Sequence, residues 1–146
     1  MRKLLFITLI STLAFTSCVK DDDEQSYEAE VTIAGTKTTI SDLMFYTFKN
    51  GESKYYNITS SNDYNENSSI SIYLLNPAPG TMAFGEDNAI NITIDSDSYY
   101  STTGSFTITE VSESFVSGSF TGKFRNGNTE IQISGSFSAE YKSGLN

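Results

Sequence analysis

From Tyr27 onward apolar side chains recur at every second position, with no stripe at helical spacing. That is the period of strands with one face in a core and one in water. The clearest run is Ile131, Ile133, Gly135, Phe137, Ala139 and Tyr141, alternating with Gln132, Ser134, Ser136, Ser138 and Glu140. Val116, Gly118, Phe120, Gly122 and Phe124 alternate in the same way with hydroxyls, Lys123 and Arg125. Ile70, Ile72 and Leu74, then Ile90, Ile92 and Ile94, then Phe106 and Ile108 repeat the pattern. These runs predict about eight to ten short strands and no helix.

Turn chemistry fills the gaps. Asn50-Gly51 and Asn126-Gly127 each separate two strand patterns, and Asn-Gly accepts the positive φ of a tight hairpin. Gly85–Asn88 and Ser112–Ser114 read as further hairpin loops. Asn76-Pro77-Ala78-Pro79-Gly80 reads as a connection, because proline cannot donate to a central ladder. Without helices to cover a parallel sheet, the expected fold is all-β, an antiparallel β-sandwich (immunoglobulin-like or similar), with a partly open β-barrel as the alternative. The sequence Gly-Ser-Phe recurs at Gly104, Gly118 and Gly135. The recurrence predicts a three-strand meander in which glycine allows close strand approach beside an inward ring.

The amino-terminal residues do not share this pattern. Arg2 and Lys3 precede an uncharged run from Leu4 to Phe15. That run is too short for a bilayer core about 30 Å thick, which needs about twenty residues, and its size suits a secretory signal. The single cysteine, Cys18, follows at once. Phe15-Thr16-Ser17-Cys18 resembles a bacterial lipobox, with Phe15 where leucine is usual. The resemblance implies cleavage before Cys18 and acylation of its sulfur and new amine. Three chains would anchor durably where one binds only reversibly.

Lys20-Asp21-Asp22-Asp23 resembles the export signal of surface lipoproteins in Bacteroidetes-type bacteria, which implies an outer-membrane protein facing the medium. The carboxy-terminal half, in Gly104–Thr109, Val116–Phe120 and Ile133–Phe137, resembles uncharacterised lipoprotein domains of the same bacteria. That resemblance implies a small β domain and no particular chemistry. The expected organisation is a signal peptide over 1–17, a lipidated Cys18 with an acidic tether over 18–27, and one β domain over 28–146. About ten residues of tether reach roughly 30 Å when extended.

Composition narrows the chemistry. The 146 residues contain 18 acids, 9 bases, no His and no Trp. Absence of His removes histidine-based triads and His-ligated metals, and one cysteine cannot form an intrachain disulfide or a cysteine-rich zinc site. Loss of Arg2 and Lys3 with the signal leaves 7 bases against 18 acids, a net of −11. An acidic chain is unsuited to nucleic acid, whose phosphates require a basic surface.

Asp63-Tyr64-Asn65-Glu66-Asn67 alternates oxygen side chains as calcium loops do, but Ser68 and Leu74 stand where such a loop has glycine and a bidentate glutamate. It reads as a polar hairpin loop, and Asp95-Ser96-Asp97 is a weaker case still. Glu110 with Glu113, and Glu86 with Asp87, are the carboxylate pairs that a glycosidase would need about 5–10 Å apart. Both pairs fall at turns, where solvated acids are ordinary. No metal, cofactor or catalytic residue is expected.

The nine tyrosines are the suggestive feature that remains. Tyr55-Tyr56, Tyr64 and Tyr99-Tyr100 read as lying in or near loops, and Tyr73 on the polar face of its strand. A tyrosine combines a flat apolar ring with a hydrogen-bonding tip, suited to sugars or proteins. Tyr64, Tyr73, Tyr99 and Tyr100 are therefore the candidate binding residues. The expected role is non-catalytic binding of a ligand, glycan or envelope protein. An accessory subunit of an envelope complex is the first alternative, and a small glycan-acting enzyme a distant one.

Overall fold

The computed structural model describes residues 27–60 and 67–143. All regular structure there is β: β1 (Ala29–Ile33), β2 (Thr36–Ile40), β3 (Leu43–Asn50), β4 (Ser53–Ser60), β5 (Ser68–Leu75), β6 (Gly80–Ala83), β7 (Ala89–Ile94), β8 (Asp97–Val111), β9 (Phe115–Asn126) and β10 (Thr129–Tyr141). They form one ten-stranded sheet in the order β2-β1-β10-β3-β4-β5-β7-β8-β6, with β9 bridging β10 and β8. The sheet doubles over in sandwich-like fashion around a single core. One corner is the β7–β8 hairpin. At the other, β10 meets β3 in parallel over only Glu140↔Met44 and Tyr141↔Phe45. Every other pairing is antiparallel.

The alternation in the sequence becomes the inside and outside of this sheet. Val116, Gly118, Phe120, Gly122 and Phe124 are all buried on β9, while Ser119, Thr121, Lys123 and Arg125 are exposed. Phe45, Phe106 and Phe124, with Ile58, Ile72, Ile90 and Ile92, reach zero or near-zero exposure in the core. Each such side chain contributes about 1.5–3 kcal/mol when fully buried. Tyr141, at the end of the β10 pattern, is 40% exposed and rests its ring on Phe45 at 5.4 Å.

The β8–β9–β10 meander forms as expected, and the glycines explain its packing. Phe137 lies opposite Gly118, and Gly135 opposite Phe120, in the β9–β10 register. A Cβ on Gly118 would stand 2.6 Å from the Thr107 carbonyl oxygen and 3.1 Å from the Phe137 ring. On Gly135 it would collide with the Glu30 carbonyl oxygen and meet the Phe120 ring at 2.5 Å. Each phenylalanine thus fills the space that the facing residue lacks, which the dense packing of a core requires.

Two turn expectations are corrected. Asn50 pairs with Ser53 and Asn126 with Thr129, so the central residues are Gly51-Glu52 and Gly127-Asn128, one position later than expected. Positive φ falls on the glycine alone, 62° at Gly51 and 57° at Gly127. A turn strained only at its first central position needs glycine there and leaves the asparagine in the strand. The segment Gly85–Asn88 is not a hairpin loop. β6 pairs with β8 through Gly80↔Ile108 to Ala83↔Ser105, and β7 pairs with the same edge through Asn91↔Tyr100 to Ile94↔Asp97. β6 and β7 therefore lie end to end along the longer β8, and residues 84–88 are an interruption between them.

The other two loops agree with their sequence. Ser112 closes the β8–β9 turn by accepting from the Phe115 backbone N–H at 3.0 Å. The proline-containing segment joins β5 to β6.

Candidate functional site

A cavity of about 250 Å³ opens where the β1–β2 and β7–β8 hairpins part, at one mouth of the core. It is lined by Ile33, Thr36, Thr38, Ile94, Asp95, Asp97 and Tyr99. Two tight turns build its rim. Ala34-Gly35 has φ of 48° and 83°, and Asp95-Ser96 has 52° and 73°, the positive pair that a type I′ hairpin turn requires. Register then sets the walls: Asp97 lies opposite Ile94, Tyr99 opposite Ile92, Thr36 opposite Ile33 and Thr38 opposite Val31. Tyr99 consequently stands on the core side of β8, half-buried and packed on the apolar cluster.

The result is an apolar floor with a rim of two carboxylates and two hydroxyls. The ion pairs among the described residues, Lys37–Glu30, Lys123–Glu130 and Lys142–Glu140, do not involve Asp95 or Asp97. Both carboxylates are exposed at the rim and are acceptors for hydroxyl or ammonium donors. The lining thus offers one aromatic ring, two isoleucines and several hydrogen-bonding oxygens. Among the described residues no cluster of His, Cys, Asp or Glu could hold a metal. Glu110 and Glu113 flank the β8–β9 turn, whereas Glu86 and Asp87 lie between β6 and β7, and all four are exposed.

The tyrosine candidates separate. Tyr99 lines the cavity, whereas its neighbour Tyr100 points to the opposite face, 54% exposed, opposite Asn91 and Arg125. Tyr99-Tyr100 is therefore strand, with one ring on each side of the sheet, and does not form a loop pair. Tyr55-Tyr56 is corrected in the same way: Tyr56 is in the core, stacked on Phe45 at 5.3 Å, and Tyr55 is outside. Tyr73 lies where its strand pattern put it, on the outer face of β5 and 41% exposed. Cys18, Tyr64 and all but the last residue of the Asp63–Asn67 loop lie outside the described residues.

A second feature went unread in the sequence. The outer face of β3, β4 and β5 carries two cross-strand rows: Phe48, Tyr55 and Leu75, then Tyr46, Asn57 and Tyr73. Phe48 and Tyr55 stack at 4.9 Å with planes 6° apart. In the second row Asn57 is only 8% exposed, although it faces outward between two tyrosines. Its Nδ2 donates to the Tyr46 hydroxyl oxygen, and its Oδ1 is buried without a partner among the described residues. The signal available was parity. Tyr46 and Phe48 alternate with Phe45 and Thr47, so one aromatic set had to face water.

No helix among the described residues is long and apolar enough to cross a membrane. Comparison with models of known protein families, with curated proteins and with solved structures finds no match to this chain.

Proposed function

We propose that the protein is a lipid-anchored outer-membrane lipoprotein, facing the cell exterior, that binds a ligand, glycan or partner protein without catalysing a reaction. The anchor rests on Phe15-Thr16-Ser17-Cys18 and the outward address on Lys20-Asp21-Asp22-Asp23. The observation that carries the binding role is the cavity with Tyr99 in its wall and Asp95 and Asp97 at its rim. Its ring suits the C–H face of a sugar or an apolar side chain, and its acceptors suit hydroxyl or ammonium donors. The chain's lack of His and the solvated positions of its turn carboxylates favour binding over catalysis.

Three measurements test this reading. Fatty-acid labelling of the native chain should vanish in Cys18→Ser, and labelling that survives would end the anchor. Protease added to intact cells should cleave the protein, whereas protection would place it in the periplasm. Pull-down of the lipidated protein from its envelope, with a glycan array alongside, should recover a ligand that Tyr99→Ala releases.

One observation favours an accessory subunit as a second reading. Among the described residues β2 and β6 end the sheet order and each pairs on one side only, and open edges of this kind recruit further strands. In that case the pull-down returns a complex in fixed proportion that Tyr99→Ala leaves intact.

A further inference from the structure

We propose that the outer face of β3, β4 and β5 is a second binding surface, for an extended chain of neutral sugars. The proposal rests on the non-catalytic binding role and adds a site and a ligand class that the cavity does not supply. Tyr46, Asn57 and Tyr73 stand side by side on three adjacent strands. Neighbouring strands are about 4.8 Å apart, which puts the two tyrosine positions roughly 10 Å apart, a span of about two sugar rings. Tyr46 is 36% and Tyr73 41% exposed, and both belong to the small set of large apolar side chains that this protein leaves in water.

The polar chemistry between the rings selects the ligand. Asn57 Oδ1 is a buried acceptor with no donor among the described residues, and buried polar groups in proteins are nearly always paired. The phenol oxygen of Tyr46 accepts from Asn57 Nδ2, which leaves the Tyr46 O–H free to donate. An unfilled acceptor beside a free donor matches a hydroxyl group, which plays both parts. Asn57 Oδ1 is closed to solvent in this conformation, so a sugar hydroxyl reaches it by turning aside an exposed flanking ring.

Two further observations fix the class. The outward residues of the next row, Met44, Thr59, Ser71 and Asn91, are a thioether, two hydroxyls and an amide, and no residue of these rows on β3, β4, β5 and β7 is charged. A chain of net charge −9 repels acidic polymers, and an uncharged face offers nothing to a cationic one. Among the described residues the surface is an open sheet face without walls, so it suits a stretch along a polymer and not a terminal sugar.

The test is native-gel retardation of the full chain in detergent by xyloglucan, galactomannan, mixed-linkage β-glucan and amylopectin, with polygalacturonate as the charged control. At least one neutral polymer should retard the protein, and polygalacturonate should not. Tyr73→Ala should weaken that retardation at least about tenfold, the equivalent of 1.4 kcal/mol, and Tyr46→Phe by a smaller factor. Tyr99→Ala, in the cavity, should weaken it less than Tyr73→Ala does. Unchanged thermal melting of Tyr73→Ala shows that the exposed truncation has not unfolded the domain. The proposal is overturned if none of the four polymers retards the chain, if Tyr73→Ala binds as tightly as the parent, or if polygalacturonate binds equally well. It is also overturned if Tyr99→Ala alone abolishes retardation, a result that would keep the cavity and remove this face. A dimer broken by Tyr73→Ala, with no polymer effect, makes the face a self-association surface and likewise overturns it.

Discussion

The β8–β9–β10 meander and the β3–β4–β5 layer use aromatic residues in opposite ways. In the meander Phe106, Phe120, Phe124 and Phe137 point inward, two of them paired with a glycine across the ladder, and the outer face is mainly serine, threonine and charge, with Tyr100 at the start of β8 the one strongly exposed ring. In the other layer the inner face is mainly aliphatic, with Ile58, Ile70, Ile72 and Leu74, while Tyr46, Phe48, Tyr55 and Tyr73 are outside. Aromatic rings in the first region are volume, needed to fill a space shaped by glycine. Rings in the second contribute little to the core, which is already closed beneath them. An outward ring on a sheet whose inner face is complete is free to serve recognition.

The sharpest break of this comparison is Phe106→Ala. Its fully buried ring packs edge-on to Phe84 at 4.8 Å and near Phe137 at 6.4 Å. Loss should cost about 3–5 kcal/mol in denaturant titration, and a cost below 1 kcal/mol would mean the meander is not packed through its rings. Gly135→Ala should follow, at about 1–3 kcal/mol, because the new methyl meets a backbone carbonyl and the Phe120 ring. Pairing it with Phe120→Leu should recover part of that loss if the ring is the obstacle.

Tyr73→Ala should shift stability by less than about 1 kcal/mol, as expected for an exposed strand position, while reducing polysaccharide retardation. A large loss of stability would make the outer rings structural and erase the contrast. The smallest effect expected is a gain. Ser96→Gly should stabilise by about 0.5–1 kcal/mol by relieving a left-handed residue at φ 73°, read as a higher melting midpoint.

The sequence made the layering readable because a period of two is local information. The buried residues of β5, β7, β9 and most of β10 follow from it directly. Partner choice is not local. β6 and the Gly85–Asn88 segment look like half of a hairpin until β8 proves long enough to take β6 and β7 in succession along one edge. Turn placement failed by one residue at Asn50 and Asn126, since Asn-Gly marks a turn without saying which of its residues leaves the ladder. The cavity depended on two turns without the usual signature, Ala34-Gly35 and Asp95-Ser96, whose positive φ values are imposed by the hairpin register. Tyr99 was legible as a candidate but not as a wall residue, because its neighbours across the mouth, Ile33, Thr36 and Thr38, lie some sixty positions earlier in the chain.

The partners of β10 also set the order in which this chain can fold. The last strand supplies neighbours to β1, β3 and β9, and the Ser138 backbone N–H donates to the Glu28 carbonyl at 2.9 Å, across nearly the whole domain. Pairing so distant in sequence places folding on the slow side, in about milliseconds to seconds. Until Thr129–Tyr141 arrive, β1 and β2 have only each other, and a lone two-stranded hairpin is marginal in water. Before that strand joins, β1, β3 and β9 each lack one neighbour, and the core around Ile133, Phe137 and Ala139 stays open.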